Sequence, residues 1–554
     1  MKKYFKIIIV SLMLCMFFST VAFAEEDDIT VRVRIKGRTF NEQAELDGYE
    51  NITIYDTSSV IPKKIYQTDD ELSILMDTYY DQFYNELSSI TYAKIGPYHV
   101  KLSNKYFNSF EEAQNEINKL ISTIPTLGSG FYPYFNGQDY QICYGAFVDS
   151  NSALTFVNTL KENGIESTEL QTQKQSVLVY DGQNNIVFMY KNNYNIAFTS
   201  FNSDLGSEMI KIDSKPYRGM MAFNIINNAD LISINKVDVE SYLYGVVPCE
   251  SPSSWPLDAL KAQTLAARTY AVANLKRYNL YGYDLNDDVS SQVYGGFLSE
   301  KNSTNIAVET TKGEMIYYNG KLIDAVFHST SGGSTENSEN VWQYEIPYLR
   351  GVDDTYSNIS PRTVWQKIYT KDQLIARLRL YDYDVNEIYD VKITKVTENN
   401  RAYECIFYTD KGEITIYKDL IRSVLGVDSL WLTVKNNTEG NDSFYFASLK
   451  TTEFASRSND SIDITTTVTD GLTNKYIISN KGKTQITGNN VAFISSSGIT
   501  NKDITTVNSN QYVIDGRGWG HSLGMSQYGA KQMATEGFKY DEIIKHYYTG
   551  VTIQ

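Results

Sequence analysis

The sequence predicts a multidomain α+β protein, and three observations carry that expectation. Period-two alternation dominates residues 176–234 and recurs near the N-terminus. Residues 92–172 read strand, helix, strand, strand, helix, strand, the split βαβ plan. Downstream, a helical segment at 256–277 and a closing glycine-rich loop with its helix flank a mixed region. The 554 residues suffice for roughly two to four domains.

Residues 1–24 read as a signal peptide. Lys2, Lys3 and Lys6 precede a largely apolar run, and Ala22-Phe23-Ala24 is a small-x-small cleavage signal, so the mature chain is expected to begin at Glu25. Cys15 lies inside the apolar run, a poor place for a lipoprotein cysteine. The run is short for a span of about 20 residues, which favours a secreted, wall-associated protein over an uncleaved membrane anchor. Loss of three lysines takes the net charge from −16 to −19, a balance that excludes nucleic acid as an expected partner. Three cysteines remain, Cys143, Cys249 and Cys405, too few for an even disulfide framework. The four histidines are dispersed, so no metal site and no cofactor are expected. The 44 tyrosines supply many flat amphipathic rings, suited to packing and to stacking on sugars.

A β-rich segment is expected at 25–91, with strands at 29–35 (ITVRVRI) and 52–55. In the next block, strands fall at 98–103 and 131–135, a helix at 110–124, and strand, turn, helix and strand at 140–170. The stretch YQICYGAFVDSNSALTFVNTLKENGI resembles the sporulation-related repeat (SPOR) family, with its aromatic turn, alanine-containing helix and closing Lys-x-x-Gly. The resemblance implies a small peptidoglycan-binding module at 92–172; a generic α+β domain is the alternative.

The stretch GVVPCESPSSWPLDALKAQTLAARTYA (245–271) reads as a proline-punctuated turn entering an amphipathic helix. Ser254 is a candidate N-cap and Pro256 suits the first turn. Leu257, Leu260, Thr264, Ala267, Ala271 and Leu275 make the apolar face, while Lys261 and Arg268 share another. Glu250 is expected to leave a strand or turn ahead of this helix. It is either a solvated acid favoured by the helix dipole or a proton donor. Cys249 offers a rival, a thiol nucleophile needing a distant histidine.

Two further stretches carry polar chemistry. VFHSTSGGSTENSENVW (326–342) ends a strand at His328 and continues as a hydroxyl-rich loop that suits sugar hydroxyls or ordinary turns. GRGWGHSLGMSQYGAKQMA (516–534) places five glycines around Trp519 and His521 before a helix starting near Ser526. It lacks the spacing of a phosphate loop, so no nucleotide is expected. It reads either as a glycine-lined surface that a ligand approaches closely, with Trp519 as a stacking face, or as a tight structural turn. Residues 357–510 look mixed, with a helix at 371–380. Residues 437–510, rich in Ser, Thr, Asn and Gly, look like an exposed insertion.

Together these three motifs, in this order, resemble the stage II sporulation protein D / amidase enhancer (SpoIID/LytB) family. VDVESYLYGVVP (237–248) and SQVYGG (291–296) add weaker matches. The resemblance covers about 176–554 and implies a SpoIID-type mixed α+β domain there. It implies a lytic transglycosylase that cuts peptide-stripped glycan strands and leaves 1,6-anhydro-muramyl ends, with Glu250 as the single acid/base. Candidate substrate contacts by motif match are Lys261, Gln263, Arg268, Tyr270, Gln292, Tyr294, Ser329, Ser331, Gly332, Gly333, Trp519, His521, Ser526 and Gln527. The other implied role is a non-catalytic, wall-binding enhancer of a partner amidase. Two departures stand out: Ser251 replaces the family's methionine after the glutamate, and Ser290 and Ser291 stand where some relatives carry zinc ligands.

Overall fold

A computed structural model describes residues 29–36, 43–81, 87, 90–193, 195–436, 476–479, 482–485, 490–495, 498–503 and 511–554. The expected signal peptide lies outside them. The chain separates into two compact units: residues up to Ser253 together with Ala271–Lys312, and Ser254–Tyr270 together with Gly313–Gln554. Among the described residues no helix is long and apolar enough to cross a membrane.

The first unit is mostly β, and among the described residues sixteen strands precede the Val239–Glu250 helix. They are β1 (Thr30–Ile35), β2 (Gln43–Asp47), β3 (Ile52–Asp56), β4 (Lys63–Thr68), β5 (Leu72–Met76), β6 (Tyr98–Leu102), β7 (Phe131–Phe135) and β8 (Tyr140–Phe147). β9 (Ser167–Gln171), β10 (Ser176–Asp181), β11 (Ile186–Lys191), β12 (Ile196–Asn202), β13 (Ser207–Ile212), β14 (Lys215–Arg218), β15 (Met220–Ile226) and β16 (Asp230–Asp238) follow. Alternation at period two puts Val31, Val33 and Ile35 of β1 inside and Arg32 and Arg34 outside the core.

The βαββαβ order expected at 92–172 is present. Helices Phe110–Thr123 and Ser150–Glu162 connect strands in the antiparallel order β7-β8-β6-β9. Ser109 and Asp149 start these helices by accepting the Glu112 and Ser152 N–H groups. The flanking segments pair across this block: β5 runs antiparallel to β10, β11 parallel to β7, and β1 antiparallel to β16. The β-rich segment at 25–91 is therefore woven into the same unit as 176–238.

Where the block meets β5, a polar group sits in the core. His99 and Asp77 have no exposed surface, and His99 Nε2 lies 3.1 Å from Asp77 Oδ2. Thr172 donates to the same carboxylate, and the Tyr132 hydroxyl lies 2.6 Å from His99 Nδ1. Burial opposes the imidazolium, but the Asp77 charge and the Gly145 carbonyl outweigh it, so the His99 pKa lies above its ordinary value.

The second unit contains the Leu257–Ala273 helix up to Tyr270. A three-stranded sheet runs in the order Val364–Thr370, Gln511–Arg517, Trp431–Asn436, and a meander of Ile388–Val396, Ala402–Thr409 and Gly412–Tyr417 packs against the Asp419–Leu425 helix. The expected insertion at 437–510 contains two described hairpins, Tyr476–Ser479 with Gly482–Gln485 and Asn490–Ser495 with Gly498–Asp503. Its remainder lies outside the described residues.

Three local expectations are corrected. Residues Val239–Glu250 form a helix capped by Asp238, not a strand or turn, and Glu250 is its last residue. β-branched residues, Gly245 and Pro248 weaken the local helical signal, but Val239, Tyr242, Leu243, Val246 and Val247 are buried, and that burial prevails. In the next helix, Pro256 rather than Ser254 occupies the cap position, its carbonyl accepting the Ala259 and Leu260 N–H groups. This helix is buried on all sides from Ala262 to Tyr270, while Leu257 is 43 % exposed, so the expected amphipathic pattern is absent.

Because the folded state holds its His99 proton more tightly than the unfolded chain, this contribution to stability is full below about pH 6.5 and is lost as pH rises through the raised folded value. The melting temperature of His99→Gln is expected to fall less than that of wild type between mildly acidic and mildly alkaline buffer, measured by calorimetry.

Candidate functional site

In the first unit the candidate residues converge on the end of the Val239–Glu250 helix. The Glu250 Oε1 atom accepts the Val293 N–H at 2.8 Å. Val293 belongs to the loop carrying Gln292 and Tyr294, and both neighbours point inward. Gln292 is 1 % exposed and its Oε1 accepts the Tyr242 hydroxyl at 3.2 Å. Tyr294 packs 5.0 Å from the Tyr242 ring and donates to Asn235 Oδ1 at 2.8 Å. Its ring lies where a Cβ on Gly245 would sit, 2.5 Å away, so Gly245 is required for this approach. Gln292 and Tyr294 thus hold the loop that presents its N–H to Glu250, and their side chains are not exposed for contact with a ligand.

The helix to which Glu250 belongs ends there, and its dipole disfavours a negative charge at that end. This reverses the expectation of an acid ahead of a helix N-terminus. Cys249 is an exposed residue, but burial of its thiol raises its pKa despite bonds to Ser299 and Gly295, which argues against an activated nucleophile.

In the second unit the glycine-rich stretch, expected either to line a ligand surface or to form a tight turn, packs closely against the protein's own residues. Strand Phe327–His328 runs parallel to Met525–Ser526, and Thr330 exchanges both backbone bonds with Trp519. A Cβ on Gly518 would meet the Ser331 carbonyl oxygen at 2.7 Å, and one on Gly520 would meet His328 Cβ at 2.7 Å. Both glycines have positive φ, +81° and +115°. Gly332 approaches Gly518 in return. Gly333, at φ +136°, accepts at its carbonyl from the Asp354 N–H.

Beneath this seam lies Asp354, which has no exposed surface. Its carboxylate accepts Ser331 Oγ at 2.5 Å and the Tyr547 hydroxyl at 2.6 Å, with Ser526 and Ser357 also bonded to it. Burial raises its pKa in spite of these donors. Ser331 and Ser526 are fully buried and act as scaffold. Ser526 also caps the Gln527–Thr535 helix, and Gln527 is 8 % exposed. Arg401, 1 % exposed, reaches the Ser331 and Ser334 carbonyls, and burial lowers its pKa to about 10.

His521 and His328 lie with ring centroids 5.5 Å apart. His328 Nδ1 donates to the Leu523 carbonyl, and His521 Nδ1 accepts the Leu523 N–H. Burial, with help from Arg422, lowers the His521 pKa to about 4, and burial beside His521 holds His328 well below its usual value. Both rings are neutral at neutral pH. Trp519 keeps 38 % of its surface, with the Arg362 guanidinium over its ring at 3.8 Å. Ser329 is half-buried and its carbonyl accepts the Tyr528 N–H.

On the Leu257–Ala273 helix, Arg268 is fully buried and donates to the Glu314 carbonyl, and Gln263 and Tyr270 are buried at 1 % and 7 % exposure. Lys261 is half-buried, its Nζ 5.6 Å over the Tyr540 ring. The expected neighbourhood of the Lys261 and Arg268 charges therefore resolves into separate contacts. Trp255 packs edge-on to Tyr528 at 5.1 Å. Among the described residues no three of His, Cys, Asp and Glu gather as metal ligands would. Sequence reasoning did not single out Asp354, Tyr242, Asn235 or Arg401. Asp354 sits in an ordinary polar turn, and nothing local marks it as buried.

Comparison with known proteins gives the chain its relatives. The SpoIID family, described as stage II sporulation protein, matches residues 227–318, which span the Glu250 helix and the Gln292–Tyr294 loop. The chain is 32 % identical over 358 residues to the amidase enhancer of Bacillus subtilis, covering 63 % of this chain and 45 % of that one. It thus spans less than half the length of that relative. It is 30 % identical over 338 residues to an uncharacterised protein of Brachyspira hyodysenteriae, covering 72 % of it, and 27 % identical over 336 residues to the stage II sporulation protein D of Bacillus subtilis, covering 76 %. The chain belongs to the SpoIID/LytB family.

Gly520→Ala is expected to cost about 2–5 kcal/mol of stability in denaturant unfolding, from backbone strain together with the clash against His328. The histidine pair has a separate signature. The unfolded chain takes up protons near pH 6.5 while folded His521 does so only near 4, so stability is expected to decline as pH falls between them. A His521→Gln variant should flatten that decline in calorimetric melts.

Proposed function

We propose that the protein is an exported lytic transglycosylase acting on peptidoglycan strands stripped of their peptides, with Glu250 as its acid/base. The observation that carries this reading is the placement of Glu250. The family-matched stretch ends a buried helix at a half-buried carboxyl group, and a separately buttressed loop fixes one of its oxygens through the Val293 N–H.

One carboxyl group suffices for the chemistry. Glu250 donates its proton to the leaving glycosidic oxygen as the bond to muramyl C1 breaks. The muramyl C6 hydroxyl then bonds to C1, and its proton returns to Glu250. The ring closes as a 1,6-anhydro end, no water is consumed, and the enzyme regains its starting protonation. Trp519, Lys261 and Ser329, which keep exposed surface, are the candidates for glycan contact. The βαββαβ block is proposed as a SPOR-like module that grips the same strands, and residues 1–24 as the export signal.

The name of the amidase enhancer supports a second reading, a wall-binding protein that stimulates a partner amidase without cutting glycan itself.

Purified chain from Glu25 is expected to release products one water lighter than reducing-end hydrolysis products from peptide-free strands, read by mass spectrometry. Glu250→Gln should slow this release by about 10²–10⁴-fold while keeping the fold. Strands bound but left uncut by the wild type would reject the transglycosylase reading in favour of the enhancer.

A further inference from the structure

At the other end of the Glu250 helix, the first unit carries a recess of about 580 Å³ that the proposed chemistry does not use. Its size lies within the range of ligand clefts. It opens at Ser241, nine positions before Glu250 on the same helix, hence roughly 13 Å away along the axis. Five charged side chains line it: Arg32, Arg218, Lys236, Glu208 and Asp238.

Three of the five are already committed. Arg32 grips Asp284 through Nε and Nη2, at 3.1 and 2.6 Å. Arg218 forms a two-pronged pair with Glu300, at 2.6 and 3.0 Å. Asp238 accepts the Ser241 N–H as the helix cap. Lys236 differs. It points into the recess from β16 with Arg32 directly opposite on β1, a like-charge cross-strand pair. Its Nζ donates to Thr57 Oγ1 at 2.5 Å, and it has no carboxylate within ion-pair distance among the described residues. Glu208, on β13, likewise has no ion-pair partner among the described residues, and burial raises its pKa.

The rim is apolar. The turn between β3 and β4 carries Val60, fully exposed, and Ile61, 82 % exposed, and Val60 and Pro62 line the recess. Aliphatic groups among polar and charged ones suit a ligand with an apolar face and polar edges, which is how a sugar ring presents itself.

We infer that this recess binds a carboxylate-bearing sugar, with the Lys236 ammonium facing the carboxylate and Glu208 accepting a hydroxyl or amide N–H. An unpaired half-buried cation is costly, and an incoming carboxylate removes that cost through a charge-assisted hydrogen bond. The identity of the sugar rests on the proposed function. Hydrolysis of the amide that joins a peptide to a muramyl residue leaves a free lactyl carboxylate on that residue, so a stripped strand carries the group that an unstripped strand masks. The recess would then distinguish the two.

Burial, followed by Arg32, lowers the Lys236 pKa to about 8, with Asp56 opposing. Glu208 and Asp238 also face the site, from β13 and from the helix start. The ammonium is therefore present near neutrality and lost in alkali, and binding of the carboxylate should follow it.

The test is calorimetric binding of short peptide-free muramyl oligosaccharides to the full chain carrying Glu250→Gln, beside the same oligosaccharides with the carboxyl group converted to its methylamide. At about pH 6.5 the acid is expected to bind about tenfold more tightly than the amide, the effect of one charge-assisted contact. That preference should vanish at about pH 9.5, where Lys236 is neutral. It should vanish in Lys236→Met and persist in Lys236→Arg. Equal affinity for acid and amide, or a preference that Lys236→Met leaves intact, would overturn the inference. The pH comparison needs no Lys236 substitution, so a misfolded variant does not blunt the test. Free lactate competing as strongly as the oligosaccharide would overturn the sugar assignment. The two readings separate cleanly: an uncut strand with an intact acid preference rejects only the transglycosylase, and a cut strand with no preference rejects only the recess.

Discussion

The second unit depends on a carboxylate that water does not reach. Asp354 draws together Ser331, Ser357, Ser526 and Tyr547, from segments far apart in sequence, at bond lengths of 2.5 and 2.6 Å for Ser331 and Tyr547. Burying such a group costs several kcal/mol, and it is retained because hydroxyl donors replace the lost water. Its position sets the register of everything above it. Ser526 bonds to Asp354 and also caps the helix that follows, so the glycine-rich loop can meet residues 326–333 in one alignment. The glycines complete that constraint. At Gly529 a side chain would collide with Asp354 and Tyr547, and at Gly518 and Gly520 it would collide with the opposing strand.

The first unit positions its chemistry by a related device with an aromatic at its centre. Tyr294 fills the space left by Gly245 and anchors to Asn235 of β16, so one ring links the sheet, the Glu250 helix and the loop that contacts Glu250. In both units the polar residues of the motifs divide by burial. Ser331, Ser526, Gln292, Tyr294 and Arg268 are interior, and they shape the surface without forming it. Glu250, Trp519, Lys261 and Ser329 keep access to solvent. A motif of this kind records the constraints of a scaffold as much as the contacts of a ligand, and hydrogen-bonding residues are retained for either reason.

Much was legible in the amino-acid sequence. The βαββαβ block at 92–172, the strands of 176–234 and the helix ahead of 380 follow from short-range periodicity, because side chains on one strand or helix face share a fate set by spacing. The three motifs and their order sufficed for the family, and they singled out Glu250. Tertiary structure decided what local pattern cannot. Residues 239–250 are helical because five of their apolar side chains are buried, a gain that outweighs weak propensity. The glycines of 516–529 make room for the protein's own backbone and side chains, since only the fold reveals what stands within about 3 Å of an absent Cβ. The roles of Asp354 and Lys236 belong to the same class. A charged residue's environment is the sum of partners brought from distant positions, and no window of neighbouring residues contains that sum.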